Sequence, residues 1–396
     1  MPEEHTSGAM SANDKGARVV FTTNAGMDQI DPDAWNCMVS DDDPSLRHEF
    51  LKALESSESC SRETGWIPCH ITATRDDVLL GGAPCYLKTH SYGEFVFDWA
   101  WANAYERAGL AYYPKLLIAS PFTPVSGQRI LCRPDVDGLE IRKQIASALP
   151  IIAKKLNASS VHCIFCQPSD LEALNASGFV PREGRQFHWH NAAYTCFDDF
   201  LGALSSKKRK NIARERRRVT DQGMVMHWVP GNAIQPHHID LLYACYRNTI
   251  AEHGSYAYLN PRFFEHLVRD LPAAVQLLIA SRNHLDIACG FFLRGKNALY
   301  GRYWGSLEHV PDLHFEVCYY SPIEYCIAQG LSRFEAGAQG EHKLSRGLTP
   351  QKTQSAHWLA NPGFHDAVRR FTREEEDHLA DYSRMLESHS PFKRTG

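Results

Sequence analysis

The densest group of reactive side chains lies in the stretch RFEAGAQGEHKLSRG, where Glu335 ends a short apolar run. Glu341 and His342 follow it in a glycine-rich segment, next to Lys343 and Arg346. Transfer of an acyl group to an amine needs a group that takes the proton of the nucleophile, and donors that stabilise the tetrahedral oxyanion. Glu335, Glu341 and His342 are therefore candidate bases, while Lys343 and Arg346 can neutralise a phosphate or a carboxylate.

The same residues also allow a purely structural interpretation. Glu335 would then be a structural acid paired with Arg302, and His342 a surface loop residue. Gly337, Gly340 and Gly347 permit a tight backbone in this segment. Because loops that follow a strand often carry function, we favour the catalytic interpretation.

A substrate pocket is expected near these residues. Tyr303 and Trp304 in GRYWGS are typical of a pocket wall, whereas Glu324 fits a helix cap. The residues predicted to line the pocket are Tyr303, Trp304, His314, Glu316, Tyr92, Asp98 and Trp99.

A second candidate site is the basic segment SSKKRKNIARERRRVTDQG, residues 205–223. It concentrates cationic side chains in a chain whose formal net charge is −4. At 100° per residue Ile212 and Val219 share one helix face and five cations share the opposite one. These five are Lys207, Lys210, Arg214, Arg217 and Arg218. A merely solvated face is the alternative, but so little neutralising acid favours a phosphate-binding surface.

Composition limits the classes of protein to consider. A chain of 396 residues predicts two domains, and 43% hydrophobic with 22% charged residues is typical of globular proteins. We see no apolar run of membrane-spanning length and no secretory signal, so the cytoplasm is the expected location. The 12 cysteines are scattered, and we expect neither a metal site nor a bound cofactor. Without a groove-reading motif, binding to DNA is not expected.

The order of predicted elements repeats along the chain. In each half a series of strands is followed by a helix and then a strand. The first helix, 139–156, contains Pro150, which should kink or divide it. In the second half, Ser321–Glu324 either caps a helix or lies inside one that starts near Leu313 and kinks at Pro322. Apolar spacing predicts a final helix over 364–388.

This repetition predicts an α/β (α+β) fold with two similar units. The expected organisation is a disordered leader over residues 1–15, a first domain over 16–194 and a second domain over 195–396. The second domain would include the basic helix and the C-terminal helix.

Long motifs carry a resemblance to a known family. The stretches SLRHEFLKALE, YLKTHSYGEFVFDWAWANAYERAG, QFHWHN, LSSKKRKNIARERR and IEYCIAQGLSRFEAGAQGEHKLSRG resemble the FemAB-like family of acyltransferases. The resemblance implies two tandem GNAT-like domains with a central cleft, related to the Fem-type aminoacyl-tRNA transferases. It also implies a basic segment that opens the second domain and an acidic residue at the position of Glu335.

The expected function is transfer of an aminoacyl group from aminoacyl-tRNA to an amine on a cell-wall precursor or a specialised small molecule. Neither half contains the Q/R-x-x-G-x-G/A loop that binds the pyrophosphate of coenzyme A, which disfavours an acyl-CoA donor. An acyl-CoA-dependent N-acyltransferase and a non-catalytic module that binds precursor or RNA remain alternatives. The segment YRNTIAEHGSYAYLNPRFF, 246–264, departs from the family pattern, which leaves room for a specialised acceptor. The amino acid carried and the oligomeric state stay open.

Overall fold

The computed structural model describes residues 18–252, 254, 256–338 and 340–393, so the predicted leader lies outside the described residues. Two sheets of four and eleven strands form the centre of the molecule. The strands are β1 (Val20–Asn24), β2 (Trp66–Pro68), β3 (His70–Arg75), β4 (Val78–Ala83), β5 (Cys85–Lys88), β6 (Lys115–Ile118), β7 (Leu131–Cys132), β8 (Ser160–Ile164), β9 (Val180–His190), β10 (Met224–Pro230), β11 (Val275–Arg282), β12 (Leu285–Arg294), β13 (Ala298–Ser306), β14 (Arg333–Glu335) and β15 (Thr349–Leu359).

Helices cover both sheets. They are α1 (Pro32–Asn36), α2 (His48–Ser56), α3 (Trp99–Arg107), α4 (Gly138–Lys155), α5 (Pro168–Ala176), α6 (Phe197–Ala203), α7 (Ser206–Asp221), α8 (Pro236–Glu252), α9 (Pro261–Asp270), α10 (Leu313–Phe315), α11 (Ser321–Ala328) and α12 (Pro362–Ser388). A π-helical segment, Glu316–Tyr320, joins α10 to α11, and a 3-10 helix, Glu341–Arg346, precedes β15. We call this 3-10 helix the site segment.

The eleven-stranded sheet runs through both halves of the chain. Its order is β10-β11-β12-β13-β14-β9-β15-β8-β6-β5-β2, and the halves meet where β14 pairs antiparallel with β9. The C-terminal strand β15 lies between β9 and β8 of the first half. Two pairs are parallel, β6 with β8 and β13 with β14. The predicted domain boundary near residue 194 stays a prediction.

Apolar side chains fill the space on both faces of the sheet near the junction. Phe187 and Trp189 of β9 and Phe334 of β14 belong to one cluster, which also buries Ile212 of α7. Tyr300 of β13 belongs to another cluster on the opposite side. Because side chains alternate along a strand, neighbouring residues of β14 face different clusters.

The predicted division of the first long helix at Pro150 is wrong. Helix α4 continues through Pro150 from Gly138 to Lys155. Ile145, Leu149 and Ala153 are all buried, so packing on both sides of the proline holds the helix across the missing hydrogen bond.

The helix near Pro322 follows the second of the two predicted alternatives. Helical backbone runs from Leu313 to Ala328, and Ser321 does not cap it, because its hydroxyl donates to Glu316 at 2.8 Å. The π-helical segment Glu316–Tyr320 directly precedes Pro322. A wider turn at this place relieves the clash between a proline ring and the carbonyl of the preceding turn.

A buried ion cluster fixes the segment between β5 and α3. Lys115 of β6 is fully buried and pairs with Glu94 at 2.8 Å and with Asp98. Asp98 also accepts a hydrogen bond from the Tyr112 hydroxyl at 2.6 Å. Asp98, predicted to line a substrate pocket, therefore has its carboxylate engaged inside the first half.

Replacing Lys115 with methionine tests this cluster. Lys115→Met leaves two buried carboxylates without their cation, so we expect the free energy of unfolding to fall by about 3–5 kcal/mol in urea titrations. Lys296→Met is the control, since the Lys296–Asp41 pair is mostly exposed and should contribute at most about 1 kcal/mol. Equal stability of the two variants would contradict the role of the cluster.

Candidate active site

The parallel pairing of β13 with β14 is short. It joins Ala298, Leu299 and Tyr300 to Arg333, Phe334 and Glu335, and β13 then continues to Ser306 paired with β12 but not with β14. In β13, Gly301 pairs with Phe292 and Tyr303 pairs with Phe291, so Arg302 is the extra residue of a β-bulge. Beyond β14 the chain turns away through Gly337, whose φ of 80° suits glycine.

A cavity of about 130 Å³ lies where these two strands separate. It is lined by Phe292, Gly301, Arg302, Tyr303, Trp304, His314, Cys318, Tyr319, Ala336 and Gly337. Three predicted pocket residues, Tyr303, Trp304 and His314, are thus brought together. We treat this cavity as the candidate active site.

Tyr319 and His342 form a hydrogen-bonded pair at the cavity. Tyr319 lines it, and its hydroxyl lies 2.9 Å from Nε2 of His342, which is exposed to solvent. Burial raises the pKa of Tyr319, and partial burial together with the charges of Arg346 and Lys343 lowers the pKa of His342 from 6.5. Both side chains are neutral at pH 7, so the pair can pass a proton between cavity and solvent.

Lys343 places an uncompensated charge beside the cavity. Its side chain is buried, and Nζ donates to the carbonyl of Gly337 at 2.9 Å. No carboxylate of the described residues lies within ion-pairing distance of Nζ, and burial lowers the pKa of Lys343 to about 8. Arg346 differs, because it pairs with Glu215 at 3.2 Å and stacks on the ring of Phe315.

Glu335 lies on the face of the sheet opposite to the cavity. Its neighbours Phe334 and Ala336 pack into the cluster beside the cavity, so alternation turns Glu335 the other way. Its carboxylate accepts from Arg333 at 2.8 Å and lies 3.6 Å from His188. Its ion-pair partner is thus Arg333, not Arg302. Burial raises the pKa of Glu335 to about 7.

Glu341, the third candidate base, points to the C-terminal helix. It is exposed and accepts a hydrogen bond from the Tyr382 hydroxyl at 2.6 Å. This contact ties α12 to the site segment.

The remaining predicted pocket residues lie elsewhere. Glu316 is buried and accepts from Arg216 at 3.0 Å, facing a groove on the outer side of α11. In the first half, the ring of Tyr92 packs against Trp99 at 5.0 Å and Tyr256 at 5.7 Å. Since the sequence has no signal for the rotation of a helix through a π-helical turn, it did not separate Glu316 from His314.

A larger cavity adjoins the first. Its volume is about 520 Å³, and Trp304 and His314 line both cavities. The carboxylate residues Glu252, Glu308 and Asp312 are also in its wall.

The basic helix α7 lies alongside the whole site. Lys208 donates to Ser345 of the site segment at 2.8 Å, and Arg218 pairs with Asp312 at 2.8 Å. As predicted, Ile212 and Val219 are buried. The five residues of the predicted stripe are all exposed: Lys207, Lys210, Arg214, Arg217 and Arg218. Of these five, only Arg218 pairs with a carboxylate of the described residues.

Tyr319 and Arg302 are the residues that sequence reasoning missed. Tyr319 belongs to the run VCYYSP, where the proline two residues beyond Tyr320 was the available signal of an irregular helix. Arg302 was considered only as a partner for Glu335, because no sequence pattern marked the bulge that turns it to the cavity.

Two further findings concern the described part of the chain. No group of three or more His, Cys, Asp or Glu residues there could hold a metal ion. No helix in the described ranges is long and apolar enough to span a bilayer.

Comparisons with known proteins agree with this architecture. A family model named FemAB-like, described as peptidoglycan biosynthesis/recognition, matches residues 26–394. L-PGS from Bacillus licheniformis is 10% identical, with a TM-score of 0.51 over 84% of this chain and 97% of that one. FemX is 12% identical, with a TM-score of 0.49 over 80% of this chain and 93% of that one.

A tandem GNAT protein from the clavulanic acid biosynthesis pathway is 10% identical, with a TM-score of 0.47 over 87% of this chain and 99% of that one. No curated protein matches in sequence. The α/β fold class that the sequence predicted is confirmed.

Glu335 should make stability depend on pH. Burial raises the pKa of Glu335 from 4.5 to about 7, so the folded state holds its proton more tightly than the unfolded state does. The stability that this protonation provides is fully present below pH 4.5 and is lost as pH rises through 7. Between pH 4.5 and 8 we expect the free energy of unfolding of wild type to fall by about 3 kcal/mol relative to Glu335→Gln. Urea titrations measure it, with the exposed Glu376→Gln as control. Parallel profiles for wild type and Glu335→Gln would contradict this assignment.

Proposed function

Because this chain belongs to the FemAB-like family, we propose that it is an acyltransferase whose reaction takes place in the cavity between β13 and β14. One observation carries the proposal: a hydrogen-bonded Tyr319–His342 pair and an uncompensated Lys343 adjoin the same cavity. These are a proton-transfer pair and a positive charge, which acyl transfer to an amine requires.

The proton balance of the reaction suits Tyr319 and His342. An amine attacks the carbonyl carbon of an ester, a C–N bond forms, and the C–O bond to the leaving group breaks. The amine loses one proton and the leaving oxygen gains one. The Tyr319 hydroxyl, which is hydrogen-bonded to His342, can accept the proton of the amine and deliver a proton to the leaving oxygen. The charge of Lys343 stabilises the oxyanion that forms between these steps.

The donor we propose is aminoacyl-tRNA. The exposed stripe belongs to α7, which contacts the site through Lys208 and Arg218, and a row of exposed cations suits a phosphodiester backbone. A helix of 16 residues is about 24 Å long, enough for several phosphate contacts. In the wall of the larger cavity, Glu308 and Asp312 are paired with Arg282 and Arg218, and the unpaired carboxylate of Glu252 would repel the pyrophosphate of coenzyme A.

The acceptor we propose is an amine of a cell-wall precursor or of a specialised small molecule. The family description, peptidoglycan biosynthesis/recognition, supports the first of these. A cytoplasmic location stays a prediction.

Label transfer tests the donor. Radiolabelled aminoacyl-tRNAs, incubated with the protein and an extract of metabolites and lipid-linked precursors, should transfer label, and ribonuclease should abolish transfer. Turnover with acyl-CoA alone would reject the tRNA donor. If the protein binds a precursor but turns over no donor, the proposal that it is an enzyme is wrong.

Charge removal tests the stripe. We expect the triple variant Lys207→Gln, Lys210→Gln, Arg214→Gln to raise KM for aminoacyl-tRNA at least tenfold and reduce the salt slope of binding by about two. Arg369→Gln, Arg370→Gln, Arg373→Gln is the matched control, because it removes three exposed cations from α12. Equal losses in both triple variants would mean that only net charge matters.

Substitution of the pair tests the proton transfer. His342→Gln and Tyr319→Phe should each lower kcat about 10²–10⁴-fold. The pKa of His342 is below 6.5, so the acid limb of kcat/KM should lie below pH 6.5 and disappear in His342→Gln. The exposed His378→Gln is the control. Activity lost in Glu335→Gln but kept in His342→Gln would transfer the role of base to Glu335.

A further inference from the structure

The cavity contains one guanidinium whose charge no carboxylate balances. Arg302 lines the cavity, donates from Nη2 to the carbonyl of Phe122, and lies 5.3 Å from the centre of the Tyr303 ring. Its polar partners include that carbonyl and the Tyr303 hydroxyl. Both groups are uncharged, so they do not neutralise the guanidinium. Among the described residues no carboxylate is within ion-pairing distance, and Glu335, whose charge it feels from farther away, is held by Arg333.

Other arginines buried to a similar degree are treated differently. Arg216 pairs with Glu316 and Glu324, and Arg182 pairs with Glu375 at 2.7 Å. Removing a cation from water is costly unless an anion compensates it. Arg302, like the half-buried Arg294, has no such partner among the described residues, and its β-bulge is what directs it to the cavity.

Lys343 adds a second uncompensated cation to the same place. Its Nζ donates to Gly337, which lines the cavity with Arg302. The carboxylates nearby, Glu252, Glu308 and Asp312, lie in the wall of the larger cavity. Glu308 pairs with Arg282 and Asp312 pairs with Arg218, whereas Glu252 forms no ion pair among the described residues. The two neighbouring cavities therefore differ in their uncompensated charges, which are two cations at the smaller one and the carboxylate of Glu252 at the larger one.

The size of the smaller cavity limits the anion. A cavity of 150 Å³ accommodates a benzene-sized molecule, and this one has about 130 Å³. An amino group and a carboxylate separated by one or two carbons fit such a space. A phosphodiester with its attached nucleosides does not.

We propose that the acceptor is an amino acid in which the attacked amine lies next to a carboxylate, and that Arg302 binds this carboxylate. The planar guanidinium fits a carboxylate through two parallel hydrogen bonds. Bound in this way, the amine lies in the cavity that Tyr319 lines. Glu252, the carboxylate of the larger cavity without an ion pair among the described residues, would attract the ammonium group of the donor's aminoacyl moiety. The proposal rests on the acyl transfer proposed above.

Ligand binding without any donor tests the site directly. The full-length chain is titrated with L-alanine and L-lysine, and with the amines that lack their carboxylates, ethylamine and 1,5-diaminopentane. Isothermal titration calorimetry or saturation-transfer NMR measures the affinities. We expect each amino acid to bind at least tenfold more tightly than its amine. Equal binding within each pair would overturn the proposal.

Variants assign the preference to Arg302. Arg302→Gln should lose at least tenfold in affinity for the amino acids and leave the amines unchanged. Arg302→Lys should keep part of the preference for amino acids, because an ammonium group keeps the positive charge but cannot form the two parallel hydrogen bonds of a guanidinium. Arg294→Gln is the matched control, since Arg294 also stacks on a tyrosine and forms no ion pair among the described residues. A preference that survives in Arg302→Gln would overturn the assignment, and thermal unfolding checks that each variant folds.

Inorganic phosphate separates a carboxylate site from a general anion site. We expect 10 mM phosphate to leave the affinity for L-alanine unchanged. Displacement of the amino acid by phosphate, dependent on Arg302, would overturn the proposal in favour of a phosphate site. The two proposals also fail separately. If the protein prefers amino acids over amines but transfers no acyl group, the proposal that it is an acyltransferase fails and the carboxylate site stands. If it transfers acyl groups without this preference, only the proposal of a carboxylate site fails.

Discussion

The site depends on a single constraint, the early end of the parallel pairing between β13 and β14. Three residue pairs join these strands, and after Tyr300 and Glu335 the backbone groups of β13 have no partner in β14. A bulge at Arg302 and a turn at Gly337 complete the separation. Without this divergence, hydrogen bonds would close the space that Tyr319 and Trp304 line.

The site segment is held in place from several sides. Lys343 donates a hydrogen bond to the carbonyl of Gly337. Ser345 accepts a hydrogen bond from Lys208 of α7, and Arg346 forms an ion pair with Glu215 of α7. From the other side Glu341 contacts Tyr382 of α12. The basic helix is thus both a candidate phosphate-binding surface and the support of the segment that carries His342. This double role explains why its half-buried residues pair inward while the stripe stays exposed.

Charge is distributed unevenly around the site, and burial makes the difference matter. Arg302 and Lys343 leave the smaller cavity positive, while the larger one has three carboxylates in its wall, of which Glu308 and Asp312 are paired with arginines. Glu335 lies across the sheet with Arg333 and His188, where its proton affects stability more directly than chemistry. The separation of these groups follows from alternation along β14, since a single residue step changes the face of the sheet.

The sequence by itself determined the order of strands and helices, the exposed stripe of α7 over Ile212 and Val219, and the α/β class, because these follow from local periodicity. Its motifs also identified the family. Only the tertiary structure decided which candidates meet. It brought Tyr303, Trp304 and His314 to one cavity, added Tyr319 and Arg302, and placed Glu335 and Glu316 elsewhere. The physical reason is that a bulge, a π-helical turn and the end of a strand pairing are set by packing between distant segments. No local pattern encodes them.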